Sequence, residues 1–401
     1  MLTERAATFS AGGLFFRPAS RIVRDLGVLA LSVLATSRPS DAPPLRVLDA
    51  MAGTGVRSLR YSLEGDPACS IHANELMSGG TNPLRQNLEP ISDRCDVTAD
   101  DAVDVYMRAR LGGADAMYDF VDADGFGTGQ PHVAEAWWAV RNGGLLYLCG
   151  TDSCTTAGQN PFKAVAGYAA VAQYFPACNE QGVRLLIGTA FREAAARNLH
   201  AEPLFGYFHR PSSTMRVMMR LKKAKRPPAH AFDALTHVAR CPASAELWRV
   251  PSGELGAAAA LKPGGAAADA PPPQVFGPLW DGPMHDVSFV RAMRRDAEAR
   301  GWDDAADLLG AMAAEAEADA GGALLFHHLG DVQRALAASG FVLPPRSLLL
   351  SWLHAAGYSA APSHMEGKGL KTSASLAELV AVVAARRDRG DESVELASEL
   401  V

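Results

Sequence analysis

The chain holds 401 residues, 48% of them hydrophobic, with a formal net charge of −6 and a pI near 6.0. That much apolar content at that length excludes a disordered chain and fits two domains, with three as the upper expectation. The acidic balance argues against a protein that coats nucleic acid nonspecifically, although a local basic surface does not register in such a sum.

The first residues include Glu4 and Arg5, and the apolar run from Leu26 to Ala35 follows Arg21, Arg24 and Asp25. It is too late for an export signal and too short for a membrane span, so the chain reads as soluble and intracellular, its compartment open between nucleus, cytoplasm and an organelle. Val47 to Ala50 predicts a short strand, followed by a glycine turn and a helix over Val56 to Leu63. Ser70 to Glu75 predicts a second strand with a helix through Leu84 to Leu88 behind it. A strand over Met117 to Ala123, a helix over His132 to Val140 and a strand over Gly144 to Cys149 continue the alternation. This is the pattern of an α/β sheet with crossover helices, whose ligands sit beyond the carboxyl ends of the strands.

Val183 to Arg197 has helical spacing, and Thr214 to Leu221 alternates as a closing strand. The basic, proline-ended run from Lys222 to Pro228 then changes the composition, which places a domain boundary at 222/223. Pro263 to Pro273 is rich in Gly, Ala and Pro and predicts a flexible surface segment near 262–273. Helical patterns over Asp296 to Ala320, Asp331 to Ser339, Ser347 to Ala356 and Ser375 to Arg387 give residues 223–401 a mixed, largely helical character. Cys69, Cys95, Cys149, Cys154, Cys178 and Cys241 never form a CxxC pair, which argues for reduced thiols rather than a disulfide framework or a zinc knuckle.

The turn from Asp49 to Gly55 follows a strand and opens a helix, with Gly53 and Gly55 permitting close approach of a ligand to the backbone. It lacks the GxGxxG of a dinucleotide site and the lysine of a phosphate-binding loop. Two readings stand: a turn that holds the amino-acid part of S-adenosylmethionine, or glycines with a structural purpose alone. Glu75, after the second strand, can accept from both hydroxyls of a ribose. Asp101, with Ala102 behind it, can take an adenine amino group or simply cap a helix. Arg57 and Arg60 can neutralise a carboxylate or a phosphate, or form ordinary ion pairs.

Val121 to Gly127 delivers Asp122, Asp124 and Phe126 into a glycine-rich turn. Methylation of an exocyclic amine needs the nitrogen lone pair aimed at the methyl group and an acceptor for the displaced proton. Asp124 suits the orienting part, and Phe126 offers a stacking face worth about 1–3 kcal/mol per base. The bland alternative makes Phe126 core and Asp122 a cap. Gln130, His132, Asp152, Asn160 and His209 are weaker candidates. No HExxH and no nucleophile elbow occurs, so metal-assisted or acyl hydrolysis is not competitive and no metal is expected.

Ordered motifs along nearly the whole chain resemble the tRNA (guanine-N2)-dimethyltransferase family. They run from Phe15-Phe16-Arg17-Pro18 and Arg24-Asp25-Leu26, through Leu48 to Tyr61, Ala73-Asn74-Glu75 with Asn87, and Asp101-Ala102, to Asp124-Gly125-Phe126-Gly127. Arg141 to Leu146, Thr151-Asp152, Glu202-Pro203-Leu204 and Arg216-Val217 follow, then Gly277 to Asp286, Ser363-His364 and Gly369 to Thr372. The resemblance implies a Rossmann-like class I methyltransferase domain over 1–222 and a smaller family-specific domain over 223–401. It implies S-adenosyl-L-methionine as cofactor and tRNA as partner, with methylation of guanine N2, at guanosine 26, to the mono- and dimethyl products. No membrane and no obligatory protein partner is implied. By position, Arg24, Asp49, Gly53, Gly55, Arg57, Glu75, Asp101 and Ala102 become cofactor-site residues, and Asp124 with Phe126 the catalytic pair. Lys222, Lys223, Lys225, Arg226 and Lys371 become RNA contacts. Three positions depart from the family pattern: Gly125 stands for the loop proline, Asn179 for a histidine after Cys178, and Cys241 has no second cysteine nearby. They keep two alternatives in view, a catalytically weak tRNA-binding or tRNA-folding factor and a methyltransferase for another RNA amine.

Overall fold

A computed structural model describes residues 1–76, 81–223, 233–260 and 271–387. The described residues within 1–153, 189–228 and 288–310 make one compact unit, and those within 154–188, 229–287 and 311–401 the other. The division at 222/223 lies close to one crossing of the chain and does not mark the others. Two of those fall inside the helices Cys178–Ala196 and Asp303–Ala320, where an unbroken helical pattern carries no change of composition.

The first unit is built on a seven-stranded sheet. Its strands are β1 (Arg46–Asp49), β2 (Ser70–Asn74), β3 (Cys95–Thr98), β4 (Tyr118–Ala123), β5 (Val140–Gly150), β6 (Leu199–His209) and β7 (Thr214–Lys223). They lie in the order β3-β2-β1-β4-β5-β7-β6. The first five run parallel, while β7 is antiparallel to both β5 and β6. All six residues of β4 are buried, as expected for a parallel strand covered on both faces. Asp49 of β1 stands in register with Asp122 of β4, which sets two acids side by side at the carboxyl end of the sheet.

Helix α1 (Arg21–Thr36) absorbs the apolar run at Leu26–Ala35 and buries most of its length. No helix among the described residues is long and apolar enough to cross a membrane. Its buried Asp25 accepts from Arg5, Arg21 and Arg60, and Arg24 pairs with Glu4. Arg60 is therefore structural: its guanidinium is fully buried between Glu4, Asp25 and Glu64. Helix α2 (Val56–Arg60) follows the glycine turn and runs on as a wider turn over Tyr61–Gly65. The helix expected over His132–Val140 is two short turns, His132–Glu135 and Ala136–Trp138, because Val140 already pairs with Tyr118 in the sheet. The hairpin Leu2–Glu4 with Ala7–Phe9, the strand β3 and the helix Ala102–Leu111 had no clear pattern in the sequence.

The second unit holds a three-stranded antiparallel sheet in the order Leu247–Val250, Leu235–Arg240, Gln274–Trp280. A smaller sheet joins His327–His328, Gly369–Thr372 and Ala360–Pro362. The helices Leu329–Ala338, Arg346–Ala355 and Leu376–Arg387 close a core of Val332, Leu336, Leu349, Trp352, Leu353 and Leu379. Most of the 262–273 segment lies outside the described residues.

Lys371, expected as an RNA contact, is corrected by this unit. It is wholly buried, with Nζ 2.5 Å from Glu180 Oε1 and 2.6 Å from Asp319 Oδ1. Arg184 joins the same two acids and donates to the carbonyls of Trp280 and Gly282. A phosphate could reach Lys371 only by stripping a neutral, fully bonded ion cluster from the interior.

Candidate functional site

The turn after β1 is held from three sides. Gly53 and Gly55 have φ of +51° and +76°, in the left-handed region, and a Cβ on Gly55 would lie 2.7 Å from Leu84 Cδ1. The Gly53 N–H donates to Glu75 Oε2 at 2.8 Å, so the acid at the end of β2 is fixed against the turn. Asn87 donates to Thr54 O and exchanges two hydrogen bonds with the backbone of Ser10, tying the N-terminal segment to the same turn.

Beyond it opens a cavity of about 680 Å³, in the size range of small-molecule sites. Of the expected cofactor-site residues Arg24, Gly53, Arg57 and Glu75 line it, with the expected catalytic pair Asp124 and Phe126, and Phe15 of the N-terminal segment. Phe126 and Phe15 are 75% and 68% exposed, and their rings meet edge to face with centroids 6.0 Å apart. Phe126 is thus not core. Arg24 lines the cavity with its guanidinium committed to Glu4 and to Arg17 O and set over the Phe16 ring.

At the floor of the cavity lies a charge cluster. Arg57 donates to Asp122 Oδ2 at 2.9 Å and to Asp124 Oδ2 at 2.7 Å. Arg216 of β7 pairs with Asp124 Oδ1 at 2.7 Å, and Tyr61 donates to Asp122 Oδ2 at 2.5 Å. Burial works against the charge on Asp124, but Arg216 and Arg57 outweigh it and hold the carboxyl well below the usual range. Asp122 goes the other way: burial raises it, with Arg57 only partly compensating. Asp49, which accepts from Ser58, is pushed up to about 7 by burial and then by the charge of Asp122 beside it. Two guanidiniums thus face three acids. Four buried atoms of the cluster lack partners: Asp49 Oδ1, Asp122 Oδ1, and Arg216 Nε and Nη1.

Arg216 and His132 are the residues that sequence reasoning undervalued. Arg216 interrupts the apolar run Met215–Met219, and its position opposite Cys149 in the sheet brings it to the loop after β4. The charged break in an apolar strand was a usable signal. His132 also lines the cavity, with its ring against Gly125.

Other expected residues fall elsewhere. Asp49, at the end of β1, and Gly55, within the turn, are outside the cavity lining; Asp49 is fully buried. Asp101 caps the helix Ala102–Leu111 by accepting from Val103 N, with Ala102 buried behind it. Lys222 and Lys223 end β7 on the surface, Lys222 paired with Glu202. Lys225 and Arg226 lie outside the described residues. Among the described residues one group has metal-binding types within reach: His285, Glu315 and His364 in the second unit. Glu315 accepts from both the backbone N–H and Nδ1 of His364 at 2.6 Å.

A family model described as N2,N2-dimethylguanosine tRNA methyltransferase matches residues 2–384. The tRNA (guanine(26)-N(2))-dimethyltransferase of Thermococcus kodakarensis is 28% identical over 385 residues, covering 93% of this chain and 94% of that protein. The enzyme of that description from Schizosaccharomyces pombe is 27% identical over 356 residues, covering 82% of this chain and 61% of the relative. The solved structure of Trm1 from Pyrococcus horikoshii with S-adenosyl-L-methionine aligns with a TM-score of 0.73 at 22% identity, over 92% of this chain and 94% of that one. That likeness concerns the fold.

Proposed function

Because the chain belongs to the N2,N2-dimethylguanosine tRNA methyltransferase family, we propose that it methylates guanine N2 in tRNA with S-adenosyl-L-methionine as donor. The position we propose is guanosine 26, the one in its relatives' names, with N2-methylguanosine and N2,N2-dimethylguanosine as products. The observation that carries this reading is the charged Asp124 carboxylate at the floor of a cavity whose mouth presents the exposed rings of Phe126 and Phe15. A flat heterocycle can stack at the mouth while its amine donates to the acid beneath.

The cavity residues fit the proposed cofactor. Glu75, fixed by Gly53, suits ribose hydroxyls, and the partnerless nitrogens of Arg216 suit an anionic or carbonyl group. The cofactor supplies an electrophilic methyl on a sulfonium. This chain's residues then do three things. Arg57 and Arg216 keep Asp124 ionised, Asp124 accepts hydrogen bonds from the amine and turns its lone pair, and the aromatic rings exclude water from the reacting face. We place this chemistry in residues 1–222 and treat 223–401 as the family-specific part. Lys222 and Lys223 at the end of β7 are proposed phosphate contacts, together with Lys225 and Arg226 that follow them in the sequence.

The test is transfer of labelled methyl from the cofactor to unmodified tRNA, followed by nucleoside analysis. Wild type is expected to yield both methylated guanosines. A protein that binds cofactor and tRNA yet forms neither nucleoside would sink the reading.

A further inference from the structure

The ion pairs that make Asp124 a good hydrogen-bond acceptor make it a poor proton acceptor. Both its oxygens are paired with guanidiniums, and a carboxyl held so far below its usual range has little affinity for a proton at neutral pH. Methyl transfer to an amine nevertheless releases one. As the N–CH3 bond forms from the nitrogen lone pair, the S–CH3 bond breaks with its electrons leaving to sulfur. The nitrogen becomes cationic and must lose a proton to restore a neutral amine.

Resting on the function proposed above, we infer that His132 is a further catalytic residue, whose Nε2 accepts this proton. The placement follows from the loop after β4. Gly125 has no side chain, and the His132 ring occupies the space one would take: a Cβ there would lie 2.8 Å from His132 Cδ2 and 3.1 Å from Nε2. The imidazole is thereby set in the cavity wall directly against the residue that follows Asp124. Its other nitrogen, Nδ1, lies 3.3 Å from the Tyr106 hydroxyl. For this base the ring proton is assigned to Nδ1, donated to that oxygen, which leaves the lone pair on Nε2, on the Gly125 side.

Burial lowers the His132 pKa, with the charge of Asp101 only partly offsetting it, so the ring is neutral and basic at pH 7. Asp101 also eases the imidazolium once it forms. The other titratable or charged groups facing this space are Tyr106 on the helix Ala102–Leu111, Glu75 after β2, and Asp124 with Arg17, Arg24, Arg57 and Arg216 on the remaining walls. Protonated His132 returns its proton to solvent between turnovers. The second methylation of the same nitrogen needs the step again.

The experiment uses the full-length chain as wild type, His132→Gln and Gly125→Ala, with unmodified tRNA transcript and labelled cofactor. Single-turnover rates are measured from pH 5.5 to 9. Wild type should lose rate about tenfold per pH unit on the acid side of the imidazole titration and be flat above it. His132→Gln should be slower by about 10²-fold or more at pH 8 and lose the acid limb, with cofactor and tRNA affinities within a few-fold of wild type. Gly125→Ala, which pushes the ring away, should be slowed while keeping that limb.

Nitrogen NMR of histidine-labelled protein without substrates gives an independent readout, assigned by the signal missing from His132→Gln. It should show the Nδ1–H tautomer and a titration midpoint matching the kinetic limb. An Nε2–H tautomer, a flat wild-type profile, or a His132→Gln protein at full rate overturns the base while leaving the methyltransferase reading intact. A wild type inactive at every pH overturns both.

Discussion

Each unit of this protein carries a buried cluster of two basic groups with carboxylates, and the two clusters serve opposite ends. In the second unit Arg184 and Lys371 balance Glu180 and Asp319, and backbone groups complete the set: Phe326 N donates to Glu180 and Met284 N to Asp319. None of the four residues leaves a buried side-chain atom unpaired. In the first unit Arg57 and Arg216 face Asp49, Asp122 and Asp124, with partnerless atoms left over and a cavity above. Buried charge alone does not mark a functional site. Charged groups that also line an open cavity, as Arg57, Asp124 and Arg216 do, mark one.

The comparison breaks first at Lys371. Removing one partner of a saturated buried cluster strands its acids, so Lys371→Ala should cost about 3–5 kcal/mol of unfolding free energy by denaturant titration. Folded at low temperature, it should bind tRNA as wild type does. An unchanged stability with weakened tRNA binding would return Lys371 to the surface. The counterpart in the other cluster is Asp124→Asn, which keeps the shape and an acceptor for one guanidinium but removes the charge. Methyl transfer should fall by about 10²–10³-fold, with cofactor affinity retained. A variant that methylates at the wild-type rate would make the first cluster as structural as the second.

At the cavity mouth, Phe126→Ala should weaken productive tRNA engagement by about 1–3 kcal/mol, read as a rise in KM or Kd, without changing thermal stability. A loss of stability instead would place that ring in the core. The last prediction concerns the surplus acid. An acid whose folded pKa is raised loses its proton first in the unfolded chain, near pH 4, and in the folded protein only near 7. Wild-type stability should therefore decline as pH rises from about 4 to about 7, and Asp49→Asn should not share that part of the decline. Its advantage over wild type should grow across that window. A constant difference between the two proteins would show that Asp49 ionises normally.

Legibility in the sequence followed the range of the interaction. The glycine turn, Glu75 and Asp124 could be placed because each directly follows a parallel strand, and strand ends are local features. Asp101 could be seen as a cap and was also weighed as a ligand; its bond to Val103 N two residues on is equally local. His132 was seen only as a weak candidate, since nothing in a linear reading says that its ring fills the space left by Gly125. Lys371 was misread because a lysine in a short motif looks the same whether it faces solvent or Glu180, 191 residues earlier in the chain.

By itself, then, the sequence determined the alternation of strands and helices, the order in which acids arrive at the mouth of the sheet, and the family to which those motifs belong. Only the tertiary structure decided which charges pair. The antiparallel β7 carries Arg216 to Asp124, and the second unit buries Lys371. Those choices depend on strand register and on the desolvation of particular atoms, quantities that exist only once distant segments have packed.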